Sequence, residues 1–416
     1  MASTTKTRST SKTKTGATSK AETKNSKTEC TLSIKPDILK QNLSLLTAGV
    51  NANNEVLDRL VINVGDSQCI FRVGIDVIVK IVHKARKGLK SEPVQVSCKQ
   101  IKSFAETLDK TSQKIKLTSD LVTINNQKSS YSQSLITYKD NLPEDDVSYT
   151  PIATVDSTEL KKGLQKILPF VDRDSKQIIS GVCLEIKSSD SKTEKTDSVE
   201  LRMTSRSSDC VSTTSIAVQT IENDDINPIE TASMVITKKL ASFLIGYADS
   251  EVTLSIGDNS VRFEWDNIDC CARTLKGNYP DVDVTLKQFE NNDTEIKFNP
   301  EDLHNALKRQ QVNSAEIEFK IEDESCDLIH ATQTGSGVER IFCSNESGEK
   351  IKLDLSIDHL IKIVSSIESE TVSLKLNLEP EEGEDRPSNP ILIEDRNTIY
   401  CLPQLIEADE DENMDE

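Results

Sequence analysis

Val96-Ser97-Cys98-Lys99-Gln100-Ile101-Lys102-Ser103-Phe104 and Val235-Ile236-Thr237-Lys238-Lys239-Leu240-Ala241-Ser242-Phe243 share a register. Both place a valine, then a lysine, then an aliphatic residue and a phenylalanine at the same intervals. Each stretch reads as a strand running into an amphipathic helix, and a third helix of this kind begins near Ile357. Upstream of each lies a short strand and a capped, lysine-bearing helix, beginning near Pro36, Asp156 and Pro300. The unit is therefore present three times. Repeats decide architecture before any single motif does. Three similar units point to a symmetric assembly of many copies, not to one pocket built for chemistry.

Local signals sharpen the unit. Pro36 at a first helical position, followed by Asp37, starts a helix. Asp156-Ser157-Thr158-Glu159 reads as a capping box with Asp at the cap. Asn299-Pro300-Glu301-Asp302 supplies a cap, a first-position proline and acids at the positive helix end. Between the helices, runs such as Glu251-Val252-Thr253-Leu254-Ser255-Ile256 and Thr371-Val372-Ser373-Leu374-Lys375-Leu376-Asn377-Leu378 alternate as half-buried antiparallel strands do. Gly257-Asp258-Asn259-Ser260 is a hairpin turn. The expectation is an α+β chain of three units at 30–148, 149–288 and 289–406, each with antiparallel sheets and two helices. A basic tail, 1–29, and an acidic tail, 407–416, are expected to be disordered. The polar stretches 187–198 and 379–390 are expected as exposed loops.

Composition bounds the rest. Among 416 residues, aromatics are 4% and charged residues 29%, so the cores are expected to be aliphatic. No apolar run approaches the ~18 residues of a membrane span, and no secretory signal stands at the start. The ten cysteines form no Cys-x-x-Cys pair and lie in apolar strands, as reduced core cysteines of an intracellular protein would. Cys270-Cys271 point to opposite faces of a strand, so one of them is expected at the surface. The four histidines (83, 304, 330 and 359) have no metal spacing, and there is no glycine-rich phosphate loop, Gly-x-Ser-x-Gly or paired-carboxylate signature. No catalytic residue, metal or cofactor is expected.

The net charge of -19 is uneven: residues 1–29 carry +5, residues 407–416 carry -7, and the body carries -17. Such a body argues against simple nucleic-acid binding, so the placement of the positive charge matters. On the helix at 157–168, Leu160, Leu164, Ile167 and Leu168 form one stripe, with Lys162 and Lys166 opposite and Lys161 beside them. On that at 99–110, Ile101, Phe104 and Leu108 form the stripe and Lys99 and Lys110 oppose it, with Lys102 between. From 237, Leu240, Phe243 and Leu244 form the stripe, with Lys238 opposite and Lys239 next to it. Lys308 and Arg309 flank the outward face of the helix from Pro300, and Lys362 lies on the helix from Ile357. If all units turn these helices to one side, that side is mildly positive. It can then touch duplex phosphates without reading sequence. The scarcity of aromatics on it disfavours single-strand recognition.

A family resemblance rests on particular residues. Val235-Ile236-Thr237-Lys238-Lys239-Leu240, Glu251-Val252-Thr253-Leu254-Ser255-Ile256, Val261-Arg262-Phe263-Glu264 and Arg273-Thr274-Leu275-Lys276-Gly277-Asn278-Tyr279-Pro280-Asp281 together resemble the second domain of the bacterial DNA sliding clamp, the beta subunit of DNA polymerase III. Ile179-Ser180-Gly181-Val182-Cys183-Leu184-Glu185-Ile186 resembles the family's Asn-Gly-Val-x-Leu-Glu strand. Pro390-Ile391-Leu392-Ile393-Glu394 and Tyr400-Cys401-Leu402-Pro403-Gln404-Leu405-Ile406 resemble its ending. The resemblance spans about 30–406 and leaves out both tails.

The resemblance implies a non-enzymatic homodimeric ring of clamp-type domains, helices inside and antiparallel sheets outside, that encircles and slides on double-stranded DNA. It implies a replicative polymerase, a clamp loader and other clamp-binding-motif proteins as partners, no membrane, and a cytoplasmic, nucleoid-associated setting, with an organelle or a virus-infected cell as the other possible hosts. By motif match it also implies a partner-peptide pocket at Leu164, Thr204, Pro280, Tyr400, Cys401, Leu402 and Pro403. The chain departs from the family at Thr204-Ser205-Arg206-Ser207-Ser208-Asp209, where the family has Thr-Asp-Gly-His-Arg-Leu, at Gln404-Leu405, and at Val284-Thr285. These departures point to altered partner specificity or a weaker pocket. The acidic tail beside the pocket is expected to modulate access to it. A clamp-fold scaffold that binds proteins but is not loaded on DNA is the competing reading.

Overall fold

In the computed structural model of the protein the described residues are 30–49, 58–65, 67–74, 76–84, 91–107, 113–117, 121–125, 130–134, 147–172, 177–188, 199–207, 210–221, 233–287, 292, 294–332, 335–377 and 390–405. The tails 1–29 and 407–416, Leu108, Lys110, and most of the polar stretches (189–198 and 379–389) lie outside them.

The first unit runs β1 (Cys30–Ile34), α1 (Pro36–Gly49), β2 (Arg59–Gly65), β3 (Gln68–Val73), β4 (Val77–Lys84), β5 (Ser91–Ser97), α2 (Cys98–Glu106), β6 (Gln113–Leu117), β7 (Leu121–Asn125) and β8 (Ser130–Ser134). The second runs β9 (Thr150–Asp156), α3 (Ser157–Ile167), β10 (Gly181–Ser188), β11 (Val199–Arg206), β12 (Val211–Thr220), β13 (Met234–Thr237), α4 (Lys238–Tyr247), β14 (Glu251–Gly257), β15 (Ser260–Trp265) and β16 (Ile268–Arg273), followed by a short helix α5 (Val282–Lys287). The third runs β17 (Thr294–Phe298), α6 (Pro300–Gln310), β18 (Glu316–Ile321), β19 (Ser325–Thr332), β20 (Gly335–Asn345), β21 (Ile351–Ser356), α7 (Ile357–Val364), β22 (Val372–Leu376), β23 (Ile391–Asp395) and β24 (Thr398–Leu402). Strand, helix, four strands, helix, three strands recurs three times.

The helix starts follow from side-chain caps. Asp156 accepts from the backbone N–H of Thr158 (2.8 Å) and Glu159 (3.1 Å), and Asn299 from those of Glu301 (2.9 Å) and Asp302 (3.1 Å). Caps of this kind contribute about 1 kcal/mol each. Only half of the capping box forms at Asp156, because Glu159 pairs instead with Lys162 (3.6 Å). Ser97 caps α2 through Gln100 N–H and Thr237 caps α4 through Leu240 N–H, both at 3.2 Å. The two second helices therefore correspond cap to cap, one residue away from the register their side chains suggest. The hydroxyl that closes the first turn sets the helix start, and the apolar spacing does not. Helix α2 also ends at Glu106, short of the expected 110.

The two helices of each unit pack on one another. Their stripes enter aliphatic cores: Leu160, Leu164 and Ile167, Leu240 and Leu244, and Leu303 and Leu307 are all at most 1% exposed. One core runs through the first two units and a second fills the third. Fully burying such a side chain is worth about 1.5–3 kcal/mol. Of the nine cysteines whose side chains are described, none is in a disulfide and eight are buried. The expectation that one of Cys270 and Cys271 is exposed is wrong, since they are 0% and 1% exposed. Strand β16 is central, and Cys271 lies between Arg262 of β15 and Ile78 of β4.

Among the described residues every strand pairing is antiparallel, and two pairings cross between units. β4 pairs with β16, Ile81 opposite Ile268 and Val77 opposite Ala272. β12 pairs with β24, Thr214 opposite Thr398 and Val211 opposite Cys401. Each junction joins the third strand of the four-strand set in one unit to the last strand of the next. Among the described residues, β8 pairs only with β7, and β20 pairs with β19 and, through its last three residues, with β17.

Candidate functional site

A cleft of about 200 Å³ opens between β10, β11 and the segment leading into α5. Alternation along β10 puts Cys183, Glu185 and Lys187 on one face. In β11, Thr204 lies opposite Cys183 and Arg202 opposite Glu185. Tyr279-Pro280-Asp281 forms the other wall. Asp281 Oδ1 accepts the N–H of Asp283 at 2.9 Å and so shapes the start of α5.

Asp283 is the hub of the wall. Its carboxylate accepts from Lys187 Nζ at 2.6 Å and from Arg202 Nη1, while Arg202 also donates to Glu185 Oε2 through Nε (3.0 Å) and Nη2 (2.6 Å). Burial alone would raise the Asp283 carboxyl. The hydrogen bonds and charges of Arg202 and Lys187 outweigh it and hold the group at about 2. Helix α5 is thus clamped on its polar side. On its apolar side, Val282 and Leu286 join Val211, Leu392 and Cys401 over the β12–β24 junction. The Tyr279 hydroxyl is buried with no hydrogen-bond partner among the described residues, and burial raises its ionisation above the ordinary tyrosine value.

The sequence-matched pocket residues separate in space. Thr204 and Pro280 line the cleft. Cys401 lies beneath it, against Val282. Tyr400 and Leu402 belong to the core of the third unit, where the Tyr400 ring meets Phe170 (5.5 Å between centroids) and its hydroxyl meets Ser366 Oγ at 2.7 Å. Pro403 is exposed. Leu164 is not at the cleft: it is 0% exposed in the core of the first two units, because α3 turns it toward the sheet. Tyr279 stands in the same motif as Pro280, whereas Lys187, Arg202 and Asp283 are not marked as site residues by any motif. The alternation of Glu185 and Lys187 was a usable signal for one wall, but nothing local announces that Asp283 meets them.

Among the helix cations, Lys238, Lys239, Lys308 and Arg309 are exposed, and Lys99, Lys102, Lys161 and Lys362 are half-buried. Lys102 pairs with Glu106 (3.8 Å), Lys162 with Glu159 (3.6 Å), and Arg309 closes a bidentate pair with Glu339 of β20. Lys110 lies outside the described residues. Lys166 is the correction. Helical spacing puts it on the outward face with Lys162, yet it is 8% exposed and its Nζ donates to Asp395 Oδ2 at 2.8 Å. Lys166 does lie opposite the apolar stripe, but the β23–β24 hairpin of the third unit covers that side of α3.

No protein-family model matches the chain, and no curated protein matches it. Solved structures do. A putative DNA polymerase III beta subunit from Eubacterium rectale superposes with a TM-score of 0.76 at 16% identity, over 90% of this chain and 98% of that one. The pol III beta of Caulobacter crescentus gives 0.77 at 14%, over 91% and 100%. The Helicobacter pylori beta clamp bound to a DNA ligase peptide gives 0.74 at 14%, over 91% and 100%. The fold is that of the bacterial DNA sliding clamps, across nearly the whole chain.

Proposed function

We propose that the protein is a DNA polymerase processivity factor, a head-to-tail homodimeric ring of six clamp-type domains that encircles duplex DNA. Its three domains are 30–148, 149–288 and 289–406, and it has no catalytic role. The observation that carries the reading is the repeated junction. The strands that join units one to two and two to three occupy the same two places in the repeat, leaving the corresponding edges of β20 and β8 free among the described residues. A head-to-tail contact that uses them closes a ring if the rotation allows it.

The repeat also supplies a register. Cys270 faces Val79 at the first junction and Tyr400 faces Ser212 at the second. The equivalent positions in the third unit and the first are Gly337 and Tyr131. Gly337 is therefore paired with Tyr131 of a second copy, and Ser336 with Ser132 of that copy. Val338 (66% exposed) lies next to Gly337 on β20 and would be covered by the second copy. A chain carrying both Ser132→Cys and Ser336→Cys should oxidise to a covalent dimer, and Ser134→Cys with Ser336→Cys should not. Light scattering across dilution should give about twice 46.1 kDa.

The exposed lysines of α4 and α6 and the half-buried ones of α2, α3 and α7 form the surface turned to the duplex in this reading. The attraction is weak enough to slide, because several of these cations share their charge with a carboxylate neighbour. The cleft at Thr204 and Pro280 receives the peptides of polymerase, loader and other partners. A likeness in fold to a clamp bound to a DNA ligase peptide supports this use of it. A monomer at every concentration would instead favour the scaffold that is not loaded on DNA.

A further inference from the structure

Within the chain, one unit passes to the next through a covalent segment, residues 135–149 after β8 and 274–293 after β16. The second segment leaves its unit in a defined way. Leu275 N–H donates to Val235 O at 2.8 Å, two residues before the Thr237 cap of α4. Leu405 repeats this bond in the third unit, donating to Asp354 O at 2.8 Å, two residues before Ser356 at the start of α7. The entry points correspond as well. β1 and β17 are both 5 residues long, and a single residue separates each from a proline-led helix, so Cys30 matches Thr294. Leu405 and Cys30 are therefore the two ends of a third passage of the same kind, which no covalent segment spans.

The chain beyond these two points carries opposite charge. Residues 1–29 hold seven Lys or Arg against two Glu, and residues 407–416 hold seven Asp or Glu and no base. On the sheet that the acidic segment leaves, the cations are already taken. Lys320 and Lys352 pair with Glu318, Lys350 with Glu322 (3.1 Å), and Arg340 with Asp327 (2.5 Å). The body of the molecule, at -17, repels the same segment.

We infer that residues 407–416 of one copy pair with residues 1–29 of the next, as an ionic clasp across the junction between copies. The inference rests on the ring reading, in which Leu405 of one copy stands to Cys30 of the next as Leu275 stands to Thr294. The clasp takes the place of the covalent segment at the other two junctions. Attachment to the two sides of one junction holds the segments at high effective concentration, so contacts that are individually weak add up.

The test uses the full-length chain with one or both segments reversed in charge: Asp/Glu→Lys throughout 407–416, and Lys/Arg→Glu throughout 1–29. The dissociation constant of the dimer is read by sedimentation across dilution, with far-UV circular dichroism unchanged. Either reversal alone should raise it about tenfold at about 50 mM salt and about twofold at about 0.5 M, where screening is stronger. The double reversal should return it to the unaltered value, because the two signs are again opposite. A carbodiimide, which joins lysine to carboxylate, should link 1–29 to 407–416 between copies in dimers re-formed from labelled and unlabelled chains. An unchanged constant in both single reversals, no recovery in the double one, or links confined within single chains would overturn the clasp and leave the ring standing. A monomer at every concentration in the unaltered protein would overturn both.

Discussion

Lys166 shows what one residue can decide. Its helix position is that of a solvated lysine, opposite Leu160 and Leu164, yet its charge is neutralised by a carboxylate that is 0% exposed. Asp395 also accepts from Ser369 Oγ (2.7 Å) and from the N–H groups of Glu368 and Ser369. Burial pushes its carboxyl up, but Lys166, Ser369 and the backbone bonds win and bring it below the ordinary carboxylate range. A depressed carboxyl contributes stability above its unfolded value, near 3.9, and that contribution is lost as the pH falls through the folded value. Removing one partner of a buried pair typically costs about 3–5 kcal/mol, because the other charge stays buried alone. Lys166→Met is therefore expected to lower the urea midpoint by that equivalent, whereas Lys162→Gln on the same helix should stay within about 0.5 kcal/mol. Equal midpoints for the two variants would remove the pair from this account. The Asp156 cap makes a smaller case: Asp156→Ala should cost about 1 kcal/mol.

At the scale of the element, α5 is short and held from both sides. Its polar side depends on Asp283, which Lys187 and Arg202 reach from two strands, and its apolar side depends on the β12–β24 junction. Asp283→Asn keeps the shape but loses the charge, so amide protection across 282–287 should drop at neutral pH. In the unaltered protein the clamp should persist above about pH 4 and fail as the pH falls toward about 2, where the folded carboxyl takes its proton. Hydrogen exchange at pH 5 and pH 2 reads this directly; unchanged protection in Asp283→Asn would show that the apolar side alone holds α5. The cleft was half legible. Pro280 and Thr204 stand in motifs, and strand alternation marks Glu185 and Lys187. Their meeting with Asp283 was not legible, because it brings together residues 96 and 81 positions apart.

For the whole molecule, the charge is arranged by depth and not by average. An acidic chain of -19 still presents Lys238 and Lys239 in the open at the start of α4. Lys238→Glu with Lys239→Glu should shorten retention on nicked circular DNA, most at low salt, and leave the particle mass unchanged. Unaltered retention would move the duplex away from α4. The sequence by itself determined the repeated order of strands and helices, because caps, first-position prolines and period-two alternation act within a few residues of themselves. It also determined the buried stripes of α3 and α4. Only the tertiary structure decided the junctions: which edges pair, and that Lys166 is enclosed by a hairpin 229 residues away. Those outcomes depend on which surfaces the folded units bring together, and the side chains that meet there carry no mark of it in their own neighbourhoods.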